Sequence, residues 1–281
     1  MNAYHWYPGH MAKAIRAMEE DIKLVDIIIE LLDARAPLAT RNPDIDRLGQ
    51  GKGRIVLLNK ADLASEDANT QWVRYFEDKG VQALRFVSKG GEGMRKVKDL
   101  LGEAARAKAE KDKKKGIRMP RPVRALVAGI PNVGKSTFIN AVARKNVAQT
   151  GNRPGVTKGK QWITVSKGIE LMDTPGVLWP KIDDRQAQLY LALIGSMKDE
   201  AINTDALAQE LVALLKERYP WVVKERYGIE PEDGMEEALI KAARTLNALK
   251  KGGEPDTDRA EAQILDSFRA GRLGRITLEF P

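Results

Sequence analysis

The stretch Gly129–Ser136, GIPNVGKS, limits what this chain can fold into more than any other eight residues. It follows an apolar run, VRALVA, and opens a helical pattern, KSTFINAVARK, so it reads as strand, tight loop and helix. Glycines at 129 and 134 let backbone N–H groups turn inward around an anion, and the helix start adds a favourable partial charge. The spacing matches G-x-x-x-x-G-K-[ST], a phosphate loop. Candidate phosphate contacts are Gly129, Ile130, Pro131, Asn132, Val133, Gly134, Lys135, Ser136 and Thr137. Lys135 would reach the β- and γ-oxygens, and the Ser136 hydroxyl would serve Mg²⁺. Such a loop requires an α/β fold.

Two further segments say which nucleotide. DTPG, Asp173–Gly176, follows 37 residues after Ser136 and ends an apolar strand pattern. Asp173 would support Mg²⁺ and the Gly176 N–H would meet a γ-phosphate. Between them RPGVT offers Thr157, whose hydroxyl could complete the Mg²⁺ shell. NKAD, residues 59–62, closes another strand pattern, RIVLLN. Guanine presents two adjacent donors, N1–H and N2–H₂, which the two oxygens of Asp62 match. Asn59 would brace the loop, the Lys60 stem would lie across the ring, and Ser88-Lys89 would bring a backbone N–H towards the guanine oxygen. Adenine would leave Asp62 unpaired, and such a site discriminates by roughly 10⁴-fold or more.

The order of these motifs is inverted. Base motifs usually follow the phosphate loop and the γ-phosphate sensor; here they come first. Every strand needed for one sheet is still present, and the termini of compact domains often lie close enough to be rejoined. The fold expected is therefore an α/β, Ras-like P-loop GTPase domain, circularly permuted, with a mostly parallel sheet and helices on both faces. The rejoined segment is the basic stretch 105–124. After Pro180 the pattern becomes wholly helical, so residues 1–180 are expected to form the GTPase domain and 181–281 a small helical one.

Charge separates the same two parts. Residues 1–180 hold 32 Lys and Arg against 20 Asp and Glu, whereas 181–281 hold 15 against 19. The densest run, KAEKDKKKGIRMPRPVR, reads either as a solvated linker or as a contact for nucleic-acid phosphates. The absence of cysteine permits a cytoplasmic location and rules out disulfides and thiolate metal sites. No apolar run reaches membrane-spanning length, so no membrane partner is expected.

YPGHM, DARAP, NKAD, GIPNVGKS, RPGVT and DTPGVLWP stand here in the order found in the circularly permuted GTPases of the YlqF type, and the chain resembles that family along essentially its whole length. The resemblance implies a GTP- and GDP-binding factor, monomeric, acting late in assembly of the large (50S) ribosomal subunit and leaving on hydrolysis, with ribosomal RNA as a contact. It also bears on catalysis. Ras-like enzymes carry a water-orienting Gln after the sensor glycine; Val177 and Leu178 stand there instead, and neither can hold water. The family's replacement is the histidine of PGHM, here His10, for which a helix-start role is the alternative. An asparagine at position 132 resembles the K⁺ ligand of potassium-stimulated GTPases. Arg35 of DARAP reads as a finger in cis or as a structural salt bridge. A different class of function, a nucleotide-gated RNA-binding module with incidental hydrolysis, also fits these residues.

Overall fold

The computed structural model describes residues 10–118, 121–143, 161–166, 168–174, 184–197 and 203–281, without the side chains at 10–15, 17 and 161. The chain forms two compact units. One comprises the described residues up to Ala187 together with Thr277–Pro281; the other spans Gln188–Ile276.

The first unit is built on a six-stranded sheet. Its strands are β1 (Ile27–Asp33), β2 (Gly53–Asn59), β3 (Gln82–Arg85), β4 (Val123–Ala128), β5 (Gln161–Ser166) and β6 (Ile169–Asp173), in the order β3-β2-β1-β4-β6-β5. All neighbours are parallel except β5, which pairs antiparallel with β6 around Gly168 (φ +85°). IIIELLD in β1 is buried at every position, so both faces of the sheet are covered there.

From β1 the chain steps outward through β2 to β3, then returns to lay β4 on the other side of β1. Between β1 and β4 the direction of winding reverses, and in an open α/β sheet ligands bind at the strand C-termini beside such a reversal. DAR, NKAD, the phosphate loop and DTP all follow the C-terminal ends of β1, β2, β4 and β6. Asp33 stands opposite Asn59, and Asp173 opposite Val127.

Six helices, α1 (His10–Lys23), α2 (Pro37–Thr40), α3 (Asp44–Leu48), α4 (Glu66–Asp78), α5 (Met94–Lys114) and α6 (Lys135–Ala143), and a 3₁₀ turn, Ala61–Leu63, complete the described part of this unit. Ser65 caps α4, its hydroxyl accepting from the Ala68 N–H at 3.2 Å. That helix lays Ala68, Trp72 and Phe76 on Leu32, Val56 and Leu58, forming the core beneath the base motif. Burial of a side chain as large as Trp72 contributes about 3 kcal/mol. α6 packs on β4, β5 and β6, and Phe138 from α6 meets Phe86 edge-to-face at 5.3 Å.

The basic stretch 108–124 begins inside a helix, since α5 runs to Lys114, and ends in β4, which starts at Val123. Lys108 pairs with Asp112 at 2.6 Å, while Lys111, Lys113, Lys114 and Lys115 are exposed. α7 (Arg185–Leu193) leads into the second unit, which holds α8 (Thr204–Arg218), α9 (Pro220–Tyr227), α10 (Met235–Thr245) and α11 (Thr257–Arg269). Its core is made by Leu207, Leu211, Leu215, Ala242, Ile264 and Phe268. No helix among the described residues is long and apolar enough to cross a membrane.

Candidate nucleotide-binding site

The phosphate loop leaves β4 with Gly129 at φ +151° and enters α6 after Gly134 at φ +100°. Both glycines answer a steric demand as well as a torsional one. A Cβ on Gly129 would come within 2.7 Å of the Leu31 carbonyl oxygen, and one on Gly134 would sit on Asn59 Nδ2. Asn132 also adopts a left-handed conformation, φ +62°.

Lys135 is buried. Its ammonium donates to the Gly129 and Ile130 carbonyls, each at 2.9 Å, so it lies curled over its own loop. Burial pulls its pKa down from 10.5 to about 8, and the attraction of Asp173 offsets part of that fall. Ser136 and Thr137 occupy the first turn of α6, half-buried, beside the positive end of the helix dipole.

The residues expected to read the base are joined to this loop directly. Asn59 is 2% exposed, and its Nδ2 donates to the Val133 carbonyl at 2.6 Å. Its Oδ1 accepts from the Ser88 N–H at 3.1 Å and the Ser88 hydroxyl at 3.0 Å. One side chain therefore holds three loops, 59–62, 88–89 and 129–134, in fixed relation. Bracing is the role these bonds show for Asn59. The Ser88 N–H is engaged in it, and further along the same loop the Gly91 N–H donates to the Val87 carbonyl at 2.9 Å. Asp62 is exposed within the 3₁₀ turn and Lys89 is exposed beyond β3.

Lys60 takes a left-handed conformation, φ 59°, that turns its side chain back to β1. Its ammonium meets Asp33 Oδ2 at 2.8 Å. Asp33 is fully buried and accepts also from Arg35, through Nε at 2.9 Å and a second guanidinium nitrogen at 2.8 Å. Burial alone would raise the Asp33 pKa, but the two cations overcome it and hold the carboxyl well below its usual range. Burial depresses the Lys60 pKa, which Asp33 partly restores. Arg35, 1% exposed and bidentate on Asp33, is a structural salt bridge here. Its backbone carbonyl faces the segment after Ile276, accepting from the Leu278 N–H at 2.9 Å and the Glu279 N–H at 3.2 Å. The sequence brings Asp33 to a loop at the end of β1 as the first residue of DARAP, but neither its pairing with Lys60 nor the part played by residues 277–279 follows from a local pattern, because these partners are distant in sequence.

Asp173 is buried at the end of β6, and the Thr174 hydroxyl donates to the Val127 carbonyl at 2.9 Å. A hydroxyl from Ser136 and a carboxylate from Asp173 are hard oxygen donors of the kind Mg²⁺ accepts, alongside phosphate and water oxygens. Among the described residues no cluster of three or more His, Asp or Glu could hold a metal by itself. The donor set thus fits an ion bound chiefly through a nucleotide. Thr157, Gly176, Val177, Leu178 and His5 lie outside the described residues. His10 opens α1, and its side chain is also outside them.

A family model described as "50S ribosome-binding GTPase" matches residues 124–247. The match starts in β4, at the phosphate loop, and leaves out the base-reading part that precedes it. A protein of Bacillus cereus named Ribosome biogenesis GTPase A is 45% identical over 278 residues, covering 98% of this chain and 93% of that protein. A GDP-bound YlqF structure has a TM-score of 0.67 and 31% identity, with 95% of this chain and 99% of that one covered. A GNP-bound YlqF from T. maritima gives 0.64 and 32%, with coverage of 96% and 98%.

Proposed function

The chain belongs to the Ribosome biogenesis GTPase A (YlqF) family of circularly permuted GTPases, and from that premise we propose that it binds an immature large ribosomal subunit with GTP and leaves late in assembly when GTP is hydrolysed. It is a GTPase that interacts with ribosomal particles. The finer reading is that the particle is the large subunit, that ribosomal RNA is the contact, and that the protein works as a monomer in the cytoplasm.

The observation that carries the nucleotide part is the 2.6 Å bond from Asn59 to the Val133 carbonyl. It supports a single cleft in which base and phosphates are read together despite the inverted motif order. In that cleft Asp62 accepts the two donors of guanine, and Lys60 flanks the ring. The inward N–H groups of residues 129–134 cradle the β-phosphate. Lys135 leaves its loop carbonyls for phosphate oxygens. Ser136 and Asp173, with Thr157, would hold Mg²⁺, which would supply positive charge at the transferring phosphoryl oxygens. The Gly176 N–H meets the γ-phosphate.

With Val177 where a Gln would orient water, His10 is assigned that role, a neutral imidazole being able to hold a water or take its proton. K⁺ at Asn132 would add charge where an arginine finger otherwise does, since Arg35 is committed to Asp33. Because the catalytic set is incomplete in Ras terms, turnover should depend on the particle. GTP hydrolysis measured alone, with purified large-subunit precursors and with small subunits tests this. Large-subunit precursors should raise turnover by at least about a hundredfold, the lower end of what a positioned catalytic group adds, and small subunits should not. Equal turnover in all three would overturn the proposal and favour a nucleotide-gated binding module.

A further inference from the structure

The segment Thr277–Glu279 reaches both elements that hold the base-reading residues. Thr277 is wholly buried, and its hydroxyl oxygen accepts from the Ser65 N–H at 2.9 Å. Ser65 lies three residues after Asp62 and caps α4. The Leu278 and Glu279 N–H groups both donate to the Arg35 carbonyl. The carboxylate of Glu279 accepts from Leu38 N–H at 2.6 Å and Ala39 N–H at 3.2 Å, satisfying N-terminal donors of α2. The Trp72 indole N–H donates to the Glu279 carbonyl at 3.0 Å.

The bonds to Ser65 and to the Arg35 carbonyl end on groups one step from the base site, and those to Leu38, Ala39 and Trp72 fix the segment itself. On one side stands the turn Ala61–Leu63, whose far end Thr277 fixes through Ser65. On the other stands Arg35, whose guanidinium holds Asp33, which in turn holds Lys60. Asn69 adds a further brace, its Nδ2 donating to the Ala61 carbonyl at 2.9 Å. Asp62 itself is exposed, so its aim depends on how its turn is anchored.

We propose that Thr277, Leu278 and Glu279 are positioning residues for the guanine-reading loop, setting Asp62 and Lys60 from a segment more than 200 residues away in sequence. This rests on the assignment of Asn59–Asp62 as the base site. The strap does not touch the nucleotide. It narrows the positions the loop can take, and so sharpens discrimination between guanine and bases that lack one of its donors.

Hypoxanthine keeps N1–H but lacks the 2-amino group, so the ratio of GDP to IDP affinity reads the aim of Asp62. Thr277→Val removes the acceptor for Ser65 N–H at nearly constant shape, and Thr277→Ser keeps it. The full-length variants are titrated with GDP and IDP, with melting temperature measured without nucleotide. Thr277→Val should lower the GDP/IDP preference several-fold, and Thr277→Ser should restore it. A preference unchanged in Thr277→Val, whatever its melting temperature, would overturn the proposal and make the segment a structural tether only. If Thr277→Val does not fold, Glu279→Ala, which frees Leu38 and Ala39, is read by the same ratio. Asp62→Asn serves as reference: if it too leaves the ratio unchanged, the base-site assignment has failed rather than the strap.

Discussion

At the scale of the residue, Lys135 is a buried cation curled over the carbonyls of its own loop. The fall in its pKa from 10.5 to about 8 corresponds to about 3 kcal/mol spent on a buried charge. The folded chain therefore binds fewer protons than the unfolded one between pH 8 and 10.5, and this group's contribution to stability rises with pH across that window. Nucleotide phosphates act in the opposite sense by stabilising the ammonium, so binding should draw a proton from solvent wherever the free protein has lost it. At pH 8.5 GDP binding should take up about three quarters of a proton, against about a tenth at pH 7. Calorimetry in buffers of different ionisation enthalpy measures the difference; equal uptake at both values would contradict the buried, depressed Lys135. The roles of Gly129 and Gly134 were legible because a phosphate loop demands glycine for local reasons. That Gly134 also makes room for Asn59 was not, since the two are 75 residues apart. Asp33 was legible as the start of DARAP, but its bond to Lys60 was not, since the two meet only when β1 and β2 lie side by side.

At the scale of the element, period and length decided what could be read. The six strands and the long helices α1, α4 and α5 follow their apolar patterns, and the Gly168 hairpin appears where the glycine interrupts two short runs. The short helices α2 and α3 were not anticipated, because tertiary contacts hold them; the first N–H groups of α2 donate to the Glu279 carboxylate. α9 escaped notice as well. PWVVKERY begins at Pro220, directly after Tyr219 that follows α8, and eight residues give little periodicity. α10 ends at Thr245, beyond which Asn247 turns to φ +54°. The basic end of α5 presents Lys113, Lys114 and Lys115 to solvent, and the proposed ribosomal contact gives these charges a use. Charge reversal at all three should weaken binding to large-subunit particles and flatten its dependence on salt by about 0.7–0.9 log units per lost phosphate contact. Binding measured across a salt series checks this, and superimposable slopes would return the segment to a solvated helix end.

At the scale of the whole molecule, motif order carried most of the fold. A sheet of order β3-β2-β1-β4-β6-β5 brings base motifs from the first strands beside a phosphate loop from the fourth, so the inverted order changes connectivity and leaves one cleft. The chain leaves this unit after Ala187 and re-enters it at Thr277, a return that no local pattern announces because its bonds are all long-range. The central claim is that NKAD and GIPNVGKS serve one guanine nucleotide, and the base specificity of Asp62 tests it most directly. Asparagine replaces one acceptor oxygen with a donor, which matches the 2-carbonyl of xanthine and opposes the 2-amino group of guanine. Titration of Asp62→Asn with GTP and xanthosine triphosphate should show GTP affinity reduced by about 10³-fold or more, with the xanthine nucleotide preferred. GTP affinity equal to that of the unaltered protein, with no gain for xanthosine triphosphate, would contradict the account.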